Sequence, residues 1–321
     1  MIFPRWLFVF AVTAPLVSAS GCEATSTPQS PAVPPQPFAR HAVVSPNAAR
    51  GDLLYVSAGT AVNVYSWRSF TQVATLTGFS SADGMCVDGA QNVWIVDGQL
   101  RYAFEYAHGG STAIKSLAVP GGWPDACAVD PTTGNLAVVV AYAPGSRFHD
   151  KTGGVEIYPG ASAPPTEYQA RGIFFYDQAG YDASGDLFVN GVQSAGKVTR
   201  LAELPAGSTI LEPIKLNVTL PVPSGGVQWD GKYLALGDGG GTIYRFVVSG
   251  RNATKVGATM LAHVAHPFAF FIAKLGNARV VVAADQNDLD VPEWRYPAGG
   301  QPLRSIGINY PGGVVISRGR K

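Results

Sequence analysis

Charged side chains are scarce in this sequence. Only 14% of the 321 residues are charged, and 23 Lys and Arg are balanced by 22 Asp and Glu, which leaves a formal net charge of +1. A protein that binds nucleic acid needs a concentrated basic field to neutralise phosphates. The balance therefore argues against nucleic acid as a partner.

The usual sequence signatures of catalysis and of cofactor binding are also missing. There is no Gly-x-Ser-x-Gly nucleophile elbow and no phosphate-binding glycine loop with its lysine. Among five histidines only His263 and His266 lie close together, whereas zinc needs a third and a fourth ligand. The oxygen-rich segment 285–293, DQNDLDVPE, lacks the glycine and terminal glutamate of an EF-hand loop and is interpreted as a solvated loop. We expect neither a metal nor a cofactor.

Cysteine is rare, and the first of the three belongs to a targeting segment. Arg5 precedes an apolar run over residues 6–17, and ASGC at 19–22 resembles a bacterial lipobox, with Ala19 where leucine is commoner. Residues 1–21 are thus predicted to be a lipoprotein signal peptide and Cys22 the lipid attachment residue. An ordinary signal peptide cleaved nearby is the alternative. Residues 22–44 are rich in proline and serine and are predicted to form an extended tether.

The two remaining cysteines, Cys86 and Cys127, lie two and three residues before aspartates of similar sequence context. Side chains alternate between the two faces of a strand, so equivalent strands would place these thiols on opposite faces. We expect two buried free thiols rather than a disulfide.

What the sequence does contain is a repeat. Segments such as MCVDGAQNVWIVDG and CAVDPTTGNLAVVV recur with an aspartate at the same point, 42, 52 and 48 residues apart, and these aspartates are Asp88, Asp130, Asp182 and Asp230. A catalytic acid is needed once or twice, whereas an aspartate in every copy is typical of a turn, where it bonds its own backbone. We expect these four aspartates to be structural.

Each copy holds about four short strands, which is typical of a β-propeller blade. A weaker fifth copy begins at Phe270, and the chain ends supply the sixth, with 312–317 as its first strand and residues from 53 onward as the rest. The sequence therefore predicts an all-β fold, a six-bladed β-propeller over residues 45–318 with four-stranded blades. Its ring would be closed by pairing of the N- and C-terminal strands, which leaves no exposed sheet edge.

The segment 84–98, GMCVDGAQNVWIVDG, resembles the NHL repeat, and residues 50–318 are similar to bacterial NHL-like and gluconolactonase-like six-bladed propellers, most of them uncharacterised. Gluconolactonase-like enzymes hold a metal in the central channel with carboxylates and amides. Residues that follow second strands are the candidates here, namely Asp97, Asn190, Asp238 and Asp285. Their register slips between copies and Val140 is apolar at the equivalent point. We expect Asp97, Asp238 and Asp285 to point into solvent and not to form a catalytic set.

Aromatic residues precede several first strands, in GGWPDA, GIFFYDQ, VAHPFAFF and NYPGG. In a propeller these loops share one face, so Trp123, Tyr176, His266 and Tyr310 are predicted to line a ligand pocket. Packing between blades is the alternative.

The predicted function is a lipid-anchored, extracytoplasmic binding module of the cell envelope, monomeric and without chemistry of its own. Its ligand would be a small molecule, a carbohydrate or a protein, and it would meet the membrane only through its anchor. A metal-dependent lactone or ester hydrolase and a structural envelope scaffold are the alternatives.

Overall fold

A computed structural model of the chain describes residues 50–144, 152–193, 198–221, 225–275 and 277–319. The predicted signal peptide, Cys22 and the tether lie outside these residues. Among the described residues, no helix has the length and hydropathy to cross a bilayer.

Regular structure in the described residues is almost entirely β, apart from one turn of 3₁₀ helix at Pro159–Ala161. The strands are β1 (Leu53–Ala58), β2 (Ala61–Ser66), β3 (Thr71–Thr77), β4 (Ala82–Val87), β5 (Val93–Asp97), β6 (Tyr102–Tyr106), β7 (Ala113–Ala118), β8 (Trp123–Val129), β9 (Leu136–Tyr142), β10 (Gly154–Tyr158), β11 (Thr166–Tyr168), β12 (Phe175–Tyr181), β13 (Leu187–Val192), β14 (Thr199–Leu204), β15 (Glu212–Leu216), β16 (Val227–Trp229), β17 (Leu234–Gly237), β18 (Thr242–Ser249), β19 (Asn252–Met260), β20 (Pro267–Leu275), β21 (Ala278–Asp285), β22 (Asp290–Arg295), β23 (Arg304–Gly307) and β24 (Pro311–Ser317).

The strands form four sheets of four strands and one sheet of eight. The four-stranded sheets have the orders β24-β1-β2-β3, β4-β5-β6-β7, β8-β9-β10-β11 and β20-β21-β22-β23. The eight-stranded sheet has the order β12-β13-β14-β15-β19-β18-β17-β16 and contains a parallel pairing, Lys215↔Asn252 and Leu216↔Ala253. The all-β, propeller-like arrangement is therefore as predicted, but the sheets are not six separate four-stranded ones, because β15 and β19 pair across the expected gap.

The predicted pairing of the chain's last strand with its first is confirmed. β24 runs antiparallel to β1, with Leu53 opposite Ser317 and Tyr55 opposite Val315. The strands at the sheet ends touch one another in the order β24, β4, β8, β12, β16 and β20, and β20 returns to β24. These end strands surround a channel of about 500 Å³.

The hydrophobic core lies between sheets rather than within one. Second strands such as β9, LAVVVAY, are buried at nearly every position, while outer strands such as β23 alternate between half-buried and exposed residues. A continuous apolar run bounded by turns indicates a strand covered on both faces. In one hydrophobic cluster, for example, Trp94 of β5 packs with Val138 of β9 in the next sheet.

The prediction of free thiols is wrong, because Cys86 and Cys127 form a disulfide with their Cα atoms 5.6 Å apart. Their strands β4 and β8 are equivalent first strands of neighbouring sheets. Two opposite faces meet when neighbouring sheets pack against each other. Thiols on opposite faces of equivalent strands therefore approach each other across the interface. The alternation of faces thus favours a disulfide between neighbouring sheets instead of excluding it.

The structural role predicted for the repeated aspartates is confirmed. The Oδ1 atoms of Asp88, Asp130 and Asp182 accept backbone amide hydrogens of Asn92, Thr132 and Ser184, each over 2.8 Å. Asp230 accepts from the amides of Lys232 and Tyr233, each over 2.9 Å, in the same way. Each carboxylate thus orders the turn between the first and second strand of its repeat.

Candidate functional site

The aspartates that end the second strands do not point into solvent, so that prediction is wrong. Asp97 and Asp285 are 0% exposed and Asp238 is 2% exposed. Asp97 accepts the backbone amides of Ser80, over 2.7 Å, and Leu100, over 2.9 Å. These carboxyl groups are tolerated inside the protein because backbone donors replace water.

Similar hydrogen bonds to backbone groups are made by Asp285, Asp238 and Asn190. Asp285 accepts from the amide of His266 over 3.0 Å, and Asp238 accepts from the amide of Thr242 over 2.9 Å. Asn190 accepts from the amide of Gln178 over 2.8 Å and donates to the carbonyl oxygen of Gly225 over 2.9 Å. These side chains tie neighbouring loops to the strand ends. Among the described residues, no group of three His, Cys, Asp or Glu is placed to share a metal ion.

Three other aspartates form the candidate site. Asp83, Asp125 and Asp177 lie in β4, β8 and β12, the end strands of three successive repeats. Each precedes the turn aspartate of its repeat by five residues, so all three occupy the same point of the blade. We call these three residues the acid cluster.

The acid cluster is electrostatically unfavourable when charged. Burial is the main cause that raises the pKa of Asp177 to about 7, and it outweighs the nearby backbone amide of Gly225 and side-chain amide of Gln178, which lower this pKa. Burial likewise raises the pKa of Asp125 well above its usual range, and the charges of Asp177 and Asp83 add to this rise. Burial also raises the pKa of Asp83 to about 7. None of the four ion pairs between described residues involves these carboxyls, so no cation offsets the cost.

Polar atoms at the cluster lack partners among the described residues. Asp125 Oδ2, Asp177 Oδ1 and the amide nitrogen Nε2 of Gln178 are buried without a hydrogen bond. The Gln178 amide approaches Asp177 closely enough to lower its pKa, but without full hydrogen-bond geometry. Buried polar groups almost always have hydrogen-bond partners in folded proteins, so three buried polar atoms without partners at one place indicate a binding or catalytic role.

A row of aromatic rings lies next to the acid cluster. The Trp123 and Tyr142 rings stack with their centroids 5.8 Å apart, and Tyr142 and Phe175 stack at 6.3 Å. Trp123 and Phe175 each lie two residues before a cluster aspartate, and all three rings are half-buried. After burial, the charges of Asp125 and Asp83 are the causes that raise the pKa of Tyr142, which places this ring within electrostatic reach of both. We call these three residues the aromatic row.

The four residues predicted to bind a ligand are dispersed. Trp123 belongs to the aromatic row. Tyr176 is 0% exposed and its hydroxyl accepts from the Ala170 amide over 2.6 Å, so its side chain belongs to the core. His266 is half-buried beside Asp285, and Tyr310 is 72% exposed at the entry to β24.

The acid cluster was missed by sequence reasoning, although a signal existed. The constant five-residue offset from the turn aspartates marks Asp83, Asp125 and Asp177 in the sequence. The fourth copy has Gly225 at that point, which shows that the turn aspartate does not require an acid there. Tyr142 carries no such signal, because it joins the row as the partner of Trp123 in the pairing of β8 with β9 and by stacking on Phe175 of the neighbouring sheet.

The chemistry available is hydrogen bonding together with stacking. Carboxyls whose pKa lies near 7 are protonated in part at neutral pH, so they both donate and accept hydrogen bonds. Half-buried aromatic faces stack on apolar or sugar-ring surfaces. The combination suits a small ligand with several hydroxyl groups.

Comparisons with known proteins show the fold. No family model matches the chain, and no curated protein matches it. Among solved structures, a chain in a crystal structure of a nidogen/laminin complex has a TM-score of 0.65 with 13% identity, covering 84% of this chain and 100% of that one. A protein of unknown function from Bacteroides caccae has a TM-score of 0.59 with 12% identity, covering 84% and 99%. The chain is therefore a β-propeller, a fold that serves binding and scaffolding as well as catalysis.

Proposed function

We propose that this protein is a lipid-anchored, extracytoplasmic β-propeller that binds a polyhydroxylated small molecule, such as a carbohydrate, at the acid cluster and the aromatic row. The observation that carries the proposal is the set of three carboxyls, Asp125 and Asp177 buried and Asp83 half-buried, which have no cationic partner among the described residues and lie beside half-buried rings. Such carboxyls reduce the free energy of unfolding, and this cost is typical of functional sites.

The propeller has six blades of four strands in this proposal. The eight-stranded sheet divides into two antiparallel runs of four, β12 to β15 and β16 to β19, joined by only two residue pairs. The closed order of contacts among the six end strands supports the same count. The pairing of β24 with β1 supplies the closure of the ring.

The cellular place of the protein is inferred from the lipobox and the disulfide. ASGC at 19–22 makes Cys22 the anchor residue, and residues 22–44 are the tether. Disulfides persist in oxidising compartments, so the bond between Cys86 and Cys127 supports an extracytoplasmic location. The protein acts as a monomer that its lipid holds at the membrane.

Saturation-transfer NMR with four defined oligosaccharides, cellotetraose, chitotetraose, xylotetraose and maltotetraose, tests the ligand class. We expect at least one to bind and to lose tenfold or more in affinity in Trp123→Ala and in Asp125→Asn. Tyr310→Ala is the control, because it removes an aromatic ring that is more exposed than Trp123 and is not part of the aromatic row. If no oligosaccharide binds, or if the control weakens binding as much as Trp123→Ala, the proposal fails.

Two other functions compete with ligand binding on the basis of the sequence. A metal-dependent lactone or ester hydrolase requires a metal site, and the described residues show no group of three ligands for one. A structural envelope scaffold requires no ligand at all. Within the described part of the chain, no specific contact or cavity favours either of them over ligand binding.

A further inference from the structure

A second groove on the propeller is lined by none of the residues of the acid cluster. Its volume is about 1020 Å³. The walls come from the segment before β12, from β14 and β15, and from the turn between β18 and β19. The groove is large enough for a ligand the size of a nucleotide or a lipid headgroup.

The lining of this groove is strongly basic. Among the described residues that line it, four are cations and none is a carboxylate, although Lys and Arg only balance Asp and Glu in the whole chain. The four cations are Arg171, Arg200, Lys215 and Arg251. A random share of the surface charges would bring acids and bases in equal numbers. The groove therefore carries a local positive potential that the net charge of the protein conceals.

Most of this charge is available to a ligand. Arg251 donates to Glu212 through Nε over 2.8 Å, so that pair is neutral. Arg200 gives one donor, Nη2, to the side-chain oxygen of Gln193 over 2.7 Å. For Arg171 and Lys215, the described residues provide no side-chain hydrogen bond or ion pair. Three positive charges thus remain without a carboxylate partner among the described residues.

The backbone holds these cations in place. Lys215 pairs with Asn252 in the parallel contact between β15 and β19, and its amide donates to the carbonyl oxygen of Arg251 over 2.9 Å. Arg200 lies opposite Gly191 in the pairing of β14 with β13. The contact that merges two four-stranded runs into the eight-stranded sheet is therefore also a wall of the groove.

We propose that this groove binds a ligand that carries two or more phosphate groups. Guanidinium groups match the oxygen geometry of phosphate with paired donors, and an ammonium adds a point charge. Ile214 and Phe174 also line the groove and offer an apolar contact for the part of the ligand that bears the phosphates. The source is either a soluble phosphorylated compound or the headgroup of an anionic lipid.

Calorimetric titration with inorganic tripolyphosphate tests the site in the full chain carrying Cys22→Ser. We expect binding at 50 mM salt that weakens at 300 mM, because the contacts are exposed and screened. The double variant Arg171→Ala with Lys215→Ala should lose about tenfold in affinity. The control variant Arg68→Ala with Lys232→Ala removes the same charges elsewhere on the surface and should stay within about twofold of the parent chain.

Sedimentation with vesicles of cardiolipin, an anionic lipid with two phosphates, or of phosphatidylcholine distinguishes the sources. Binding to cardiolipin vesicles but not to phosphatidylcholine vesicles, abolished by the Arg171 and Lys215 replacements, assigns the site to a lipid headgroup. Tripolyphosphate binding without vesicle binding assigns it to a soluble ligand. The proposal is overturned if the parent chain binds neither probe, or if the control variant loses as much affinity as the groove variant. All variants replace exposed side chains, so an unchanged melting temperature confirms that they fold.

Discussion

Replacing Asp177 by asparagine should stabilise this protein at neutral and alkaline pH. The carboxyl is 2% exposed, one of its oxygens has no partner among the described residues, and burial raises its pKa to about 7. Asparagine has nearly the same shape and carries no charge, so it removes the cost of burying a carboxylate.

The size of the effect follows from the pKa. A change from the ordinary 3.8 to about 7 corresponds to about 4 kcal/mol at ~1.4 kcal/mol per pH unit. The new amide hydrogens at the position of Oδ1 also need partners, which offsets about half of this gain. We therefore expect a net stabilisation of about 2 kcal/mol, equivalent to a melting temperature higher by roughly 4–8 °C.

The effect must also depend on pH. Because the folded-state pKa of Asp177 is raised, the folded protein keeps a proton on this carboxyl between about pH 4 and pH 7, where the unfolded chain has lost it. Asp177 therefore lowers the free energy of unfolding progressively as the pH rises through that window. Asp177→Asn should lose this slope. The gain over the parent chain should be small at pH 4.5 and reach its full value at pH 8.

Urea denaturation at pH 4.5, 6 and 8 measures the difference directly. Asp288→Asn is the matched control, since it removes an exposed carboxyl and should leave the free energy of unfolding nearly unchanged. If Asp177→Asn destabilises the protein at pH 8, or changes stability equally at pH 4.5 and pH 8, then the account of the acid cluster is wrong.

Three further predictions concern the anchor, the ring and the disulfide. Cys22→Ala should release the protein from the membrane fraction of a cell that processes lipoproteins; continued membrane association would reject the lipobox. Deletion of residues 312–321 removes β24, exposes the edge of β1 and should cause aggregation, visible by light scattering; a truncated chain that stays monomeric with unchanged melting would contradict ring closure. Replacing both Cys86 and Cys127 by alanine opens a covalent loop of 41 residues and should cost about 4 kcal/mol in the chain-entropy estimate, measured by urea denaturation; a cost below about 1 kcal/mol would argue against it.

Local features were predictable from the sequence because their causes are local. Asp88 and Asp130 bond amides within four residues along the chain, so the repeated pattern alone identifies them as turn residues. The apolar run of β9 marks a strand covered on both faces. The match of 312–317 to a first strand without a following blade, together with a first blade lacking that strand, predicted the pairing of β24 with β1.

The candidate site was only partly predictable. Trp123 was identified from its place before a first strand, and the acid cluster was marked by a constant offset in the sequence. Solvent exposure was predicted for Asp97 because it neighbours a turn glycine. The side chain is instead buried and accepts hydrogen bonds from the backbone amides of Ser80 and Leu100. Whether a carboxylate in a turn faces water or backbone donors depends on the loop across from it.

Only the tertiary structure decided which equivalent positions meet. The sequence by itself determined the repeats, the strands and the turns, because these follow from alternation and from hydrogen bonds between near neighbours in the chain. It could not determine that Cys86 meets Cys127, that Tyr142 stacks between Trp123 and Phe175, or that β15 pairs with β19. The disulfide, the pairing of β15 with β19 and the stacking of Tyr142 on Phe175 join different repeats. They depend on the angle and spacing at which neighbouring sheets pack, which no single repeat encodes.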